Sequence, residues 1–149
     1  MMTNHPQRGV TLLIAVILSS VIVSVALALL DISYKQQLLA STAKQSQYAF
    51  YAADSVMECA LYWDQQWNAF DYTSPIGSIS CNNQTITPSS VVTTNRVTTF
   101  TLPCATGGIQ GIVTVTKSSA AATNIFATGY STCNASDPRR IERGLKVNY

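Results

Sequence analysis

The chain has 149 residues, a formal net charge of +2 and only 11% charged residues against 47% hydrophobic ones. After about thirty mostly apolar N-terminal residues, what remains suffices for one modest domain and not two. That remainder is rich in Thr, Ser, Asn and Gln, a polar but uncharged surface with no electrostatic trap for nucleic acid or acidic lipid.

Arg8 and Gly9 end a nine-residue leader and are followed by the uncharged run VTLLIAVILSSVIVSVALALL, which Asp31 closes. Twenty-one residues at a rise of about 1.5 Å make a helix of roughly 31 Å, matching a bilayer core of ~30 Å. Arg8 ahead of the run predicts a cytoplasmic N-terminus and a translocated remainder. The run has three readings: a secretory signal peptide cleaved near Ala26-Leu27-Ala28, a plain single-pass anchor, and a third that depends on the residues ahead of it.

No Pro or Gly occurs from Asp31 to Trp67, and helix formers dominate, so the helix is predicted to continue as an amphipathic half ending near 67. Ile32, Leu39, Ala43, Phe50, Ala53, Met57, Ala60 and Trp67 form the expected buried stripe, with Lys35, Lys44, Asp54, Glu58 and Asp64 mostly on other faces. Pro75, Gly77, Asn82, Asn83 and Pro88 mark residues 71–90 as loop. Four β-rich runs follow, 91–102, 109–117, 124–131 and 139–149, separated by turn signals at Gly107-Gly108, at 118–122 and at 134–138. In the last run Ile141, Arg143, Leu145, Val147 and Tyr149 share one face, Glu142, Gly144, Lys146 and Asn148 the other. The expected fold is α+β: a long N-terminal helix, membrane-spanning in its first half, packed in its second half against a small antiparallel sheet of about four strands.

Cys59, Cys81, Cys104 and Cys133 all lie beyond the apolar run. An even count in a translocated domain predicts disulfides, and pairing by proximity gives Cys59–Cys81 and Cys104–Cys133 among three possible connectivities. No Cys-x-x-Cys spacing occurs and the one histidine, His5, is in the leader, so no metal site is expected.

The stretch QRGVTLLIAVIL (7–18) resembles the class III signal of type IV pilins and pseudopilins: a short basic leader ending in glycine, then an unbroken apolar helix. The resemblance implies cleavage between Gly9 and Val10 by a prepilin peptidase, methylation of the new N-terminus at Val10, and retention of the helix. At the fifth mature position, where most major pilins carry glutamate, stands Ile14, as in PilX-type minor pilins and certain tip pseudopilins. The segment QYAFYAADSVMECALYW (47–63) is similar to the helix that follows the anchor in PilX-type proteins, with Asp54 in place of the usual glutamate and Glu58 four residues on. Domains implied are a leader (1–9), a membrane or filament-core segment (10–30) and an extracytoplasmic head (31–149).

Asp54 and Glu58 are one helical turn apart, as an acid–base pair would be, but a solvated helix face or a salt bridge explains them equally and no catalytic partner is in view. Gly107-Gly108-Ile109-Gln110-Gly111 lacks the lysine and helix of a phosphate loop and reads as a turn. Asn83-Gln84-Thr85 and Asn134-Ala135-Ser136 match the glycosylation sequon by short pattern only. Arg139, Arg140, Arg143 and Lys146 form the basic cluster; charges guarding a strand edge are one reading, and contact with DNA the other. The combined expectation is a non-enzymatic filament subunit without cofactor. Its expected partners are other pilin or pseudopilin subunits, the inner-membrane assembly platform, the prepilin peptidase, and lipid before assembly, with DNA or a host surface as further contacts. It would be a single-pass membrane protein first and part of a cell-surface filament later. A major pilin, a type II secretion pseudopilin, a Sec-exported soluble protein and a merely anchored protein are the alternatives.

Overall fold

The computed structural model describes residues 8–104, 108–119 and 122–149; most of the leader, Gly107 and the centre of the 118–122 turn lie outside the described residues. One helix, α1 (Arg8–Trp67), is followed by seven strands: β1 (Ile79–Cys81), β2 (Gln84–Ile86), β3 (Ser89–Val92), β4 (Asn95–Leu102), β5 (Gln110–Ser118), β6 (Thr123–Tyr130) and β7 (Glu142–Asn148). The fold is α+β. β1 and β2 form a separate hairpin, and β3 to β7 form one antiparallel meander in sequence order. The chain divides into two compact units, with the boundary between Thr42 and Ala43.

The helix is uninterrupted because no Pro or Gly breaks its hydrogen-bond ladder between Val10 and Trp67. It stops at Asn68, which adopts a left-handed conformation (φ 47°) that asparagine tolerates. The Asn68 N–H still bonds the Asp64 carbonyl at 3.0 Å, and the Ala69 N–H bonds that of Trp63 at 3.1 Å.

The buried face of α1 differs from the expected stripe. Ala53, Met57 and Ala60 are buried, but Ile32, Leu39, Ala43, Phe50 and Trp67 are exposed, and the remainder of the buried face is Ala49, Ala52, Val56 and Asp64. The reason lies in the sheet. Gly111 on β5 and Gly129 on β6 stand opposite each other in register. A Cβ on Gly111 would lie 2.7 Å from the Ala52 carbonyl oxygen, and one on Gly129 would overlap backbone atoms of Ala49 and Ala53. Helix and sheet therefore meet backbone to backbone, where alanine fits and a bulky side chain does not.

Two further expectations are corrected. Residues 71–90 contain the β1–β2 hairpin: Asn82 and Asn83 both have positive φ (50° and 60°), the backbone of a two-residue type I′ turn. The run 91–102 is two strands, with Val92 opposite Arg96 and the Thr93 N–H bonding the Asn95 carbonyl at 3.0 Å. β-Branched threonines at 93 and 94 disguise this turn as strand. The sheet thus has five strands, with the hairpin beside it. The last strand keeps its expected faces: Leu145 and Val147 pack on the core, while Lys146 and Asn148 are exposed. It begins at Glu142, because Asp137 and Pro138 hold residues 137–140 in a turn in which the Asp137 carboxylate accepts the Arg139 N–H at 2.9 Å.

The core joins the helix face to Phe70, Ile79, Phe100, Val113, Val115 and Ile125, with the rings of Phe70 and Phe100 stacked 5.9 Å apart.

Candidate functional site: the apolar helix and its anchorage in the head

From Val10 to Leu30 every large apolar side chain on α1 is at least 51% exposed, Val10 (66%) and Ile14 (51%) among them. Ser19, Ser20 and Ser24 each donate to a carbonyl three residues back, at 2.8–2.9 Å, so their hydroxyls are satisfied within the helix. This is what a hydrocarbon or protein surround requires of polar groups. Asp31 and Lys35 follow as an exposed i,i+4 ion pair at 2.8 Å, the first charges after the run. Among the described residues this is the one helix long and apolar enough to cross a membrane. Gly9 lies in its first turn.

At the other end α1 is fixed into the head by three devices. The first is covalent: Cys59 of the helix is bonded to Cys81 of β1, while a second disulfide, from Cys104 after β4 to Cys133 in the β6–β7 connection, lies within the head itself. These are the pairs that proximity suggests. Separations of 22 and 29 residues correspond to about 3 kcal/mol of stabilisation each in the chain-entropy picture. Beside the first bond the Trp63 indole N–H donates to the Ser80 carbonyl at 2.8 Å, so the hairpin is held twice.

The second device is a buried polar cluster. Lys117 of β5 donates to Asp64 Oδ1 at 2.6 Å and to Asn68 Oδ1 at 2.8 Å, and the Tyr149 hydroxyl donates to Asp64 Oδ2 at 2.8 Å. Lys117 and Asp64 are only 8% and 6% exposed. Asn68 in turn donates to Asp71, whose other oxygen accepts from the Thr73 hydroxyl and from the Thr73 and Ser74 N–H groups. These bonds, the Thr73 hydroxyl foremost, hold the Asp71 carboxyl well below the usual range. The cluster floors a cleft of about 390 Å³. Asp64, grouped by the sequence with residues mostly off the buried stripe, is itself buried. Asp64 follows Ala53, Met57 and Ala60 at helical spacing, and Lys117 stands at a buried position of β5, after Gly111, Val113 and Val115. A lone lysine on the inward parity of a strand was the available signal that an acid must face it.

The third device is β7, whose Arg143 Nε donates to the Ser46 hydroxyl on the helix at 2.8 Å. Asp54 and Glu58 form no ion pair among the described residues.

Tyr149 gives the cluster a pH signature. Partial burial, then its bond to Asp64, raises its hydroxyl pKa from the ordinary 10.0. Above about pH 10 the unfolded chain loses this proton before the folded one does, so the contribution of Tyr149 to stability is intact below pH 10 and declines above it. Urea midpoints measured from pH 8 to pH 11 are expected to fall more steeply for the wild type than for Tyr149→Phe.

Compared with protein-family models, with curated proteins and with solved structures, the chain matches none.

Proposed function

We propose that this chain is a structural subunit of a type IV pilus or related filament, most like a PilX-type minor pilin. The observation that carries the reading is one uninterrupted helix, Arg8–Trp67, apolar and uncovered from Val10 to Leu30 and pinned by a disulfide and a buried ion pair where it enters the head. A bare apolar helix needs lipid or other subunits around it. Both surrounds are apolar, so transfer from bilayer to filament is near balance and an assembly machine supplies the direction.

In this reading prepilin peptidase hydrolyses the Gly9–Val10 bond, and the freed amino group of Val10 becomes the methylated N-terminus. Ile14 carries no carboxylate to meet the amino group of a neighbouring subunit, which suits a subunit that assembles beside others rather than in long runs of itself. The head lies outside the cytoplasm, where two disulfides persist. The partners are other pilin-like subunits, the peptidase and the membrane assembly platform, and the work is assembly, not catalysis.

Intact-mass measurement of the mature protein tests the reading. The expected mass is that of residues 10–149, with or without one added methyl group; a start at Leu29 would instead indicate a cleaved secretory signal. Long filaments of this chain alone would make it a major subunit.

A further inference from the structure

The two disulfides differ in setting. Cys81 is 4% exposed and belongs to the core, and Cys59 packs against that core from the helix. Cys104 is exposed and Cys133 half-buried, and both stand in connections rather than in helix or strand. A thiol in solution therefore has an open approach to the Sγ of Cys104, at the second pair.

What the second pair holds is a loop of local turns. At its base the Ser131 N–H bonds the Ile141 carbonyl at 2.9 Å, and the Ile141 N–H bonds the Ser131 hydroxyl at 3.0 Å. Between them the hydrogen bonds of residues 132–140 stay within the loop. Among the described residues one reaches outside it: Arg140 Nη2 donates to Gln110 Oε1 at 3.2 Å. The same guanidinium lies 3.7 Å from the centroid of the Tyr130 ring. This seat is incomplete, because Arg140 Nε is buried with no acceptor among the described residues, and an unmet buried donor works against the arrangement. A covalent tie and an incomplete arginine seat thus fasten the loop to the sheet.

We propose that Cys104–Cys133 is a thiol-sensitive clasp: a dithiol opens it while Cys59–Cys81 stays closed, freeing the 132–140 loop and turning Arg140 out to water beside Arg139. One thiolate of the dithiol attacks the exposed Sγ of Cys104 and expels Cys133 as thiolate. The second thiolate then attacks the reductant sulfur of this mixed disulfide and expels Cys104. The reductant leaves as a cyclic disulfide, two electrons have entered the pair, and the two protons of the dithiol end on Cys104 and Cys133. The same attack at Cys59 would place a thiolate on Cys81 inside the apolar core, where charge is disfavoured and departure slow. The ladders joining β5, β6 and β7 involve neither Cys104 nor Cys133, so the head stays folded when the clasp opens.

The test takes the full chain, in neutral detergent micelles, through graded dithiothreitol, with alkylation of the freed thiols and peptide mass mapping. Cys104 and Cys133 are expected to label at a dithiol concentration about tenfold below that needed for Cys59 and Cys81. After alkylation at that stage and removal of the reductant, brief trypsin treatment should cut after Arg139 or Arg140 about tenfold faster than in the oxidised chain, while the thermal melt stays cooperative. The double variant Cys104→Ser with Cys133→Ser should be cut at the fast rate without reductant; should it fail to fold, the alkylated wild type carries the comparison. Labelling of Cys59 and Cys81 together with or before the other pair, equal cutting of open and closed chains, or loss of the cooperative melt on opening would each overturn the proposal. The inference stands apart from the filament reading, which is decided by the mass of the mature chain.

Discussion

Gly129→Ala is expected to prevent the head from closing on its helix. The added Cβ would occupy space held by backbone atoms of Ala49 and Ala53, and helix backbone cannot step aside as a long side chain can. Overpacking in a filled core costs about 1–3 kcal/mol and more where rigid groups are opposed; here we expect at least ~3 kcal/mol. That corresponds to a fall in the melting temperature of roughly 10–20 °C for a head of this size. Gly111→Ala opposes the Ala52 carbonyl at 2.7 Å and the side chain of Val56 at 3.1 Å. Val56 can adjust in part, so the smaller loss is expected there. Thermal unfolding in neutral detergent, followed by the fluorescence of Trp63 and Trp67, checks both. A Gly129→Ala protein melting with the wild type would mean that helix and sheet are not in backbone contact.

Lys117→Met is expected to cost about 3–5 kcal/mol, the usual penalty for removing one member of a buried ion pair. Methionine fills much of the lysine volume, so the loss comes from Asp64, left charged and 6% exposed with the Tyr149 hydroxyl as its remaining side-chain donor. The double replacement Asp64→Leu with Lys117→Met should be milder than the single one, because no buried charge is then stranded; Asn68 and Tyr149 are exposed enough to turn to water. Urea midpoints of wild type, both singles and the double give the coupling directly. If Lys117→Met alone proves neutral, the pair contributes nothing to the head.

Much of the architecture was legible before any coordinates. Absence of Pro and Gly gave a helix continuous to Trp67, and strict alternation in 141–149 gave the inward face of β7. What stayed hidden was set by other parts of the chain. The phase of the helix face follows from Gly111 and Gly129, far downstream in the chain; by hydrophobicity alone Phe50 and Leu39 outrank Ala49 and Ala52, so the expected stripe holds at Ala53, Met57 and Ala60 and fails at the bulky positions. The burial of Asp64 needs Lys117 and Tyr149, which only the meander brings to it. The β1–β2 turn is different: its Asn82-Asn83 pair was in view, but with such short strands on either side it read as loop. Of the candidate site, the apolar run, its borders and the Cys59–Cys81 pair were visible in the sequence, whereas the buried Asp64–Lys117 cluster and the Arg143–Ser46 bond were not.

That fastening has a mechanical consequence. Any load applied to the apolar segment travels along α1 to Cys59, which sits in the helix beside the buried Ala60 and is bonded to Cys81. A pull on the helix therefore reaches β1 through a covalent link that side-chain contacts would only supplement. Contacts between helix and sheet yield one at a time under tension; the crosslink obliges the hairpin to move with the helix. Under the proposed filament function, in which the helix is drawn out of one apolar surround and into another, that link makes the head follow as cargo on a tow line rather than being stripped off.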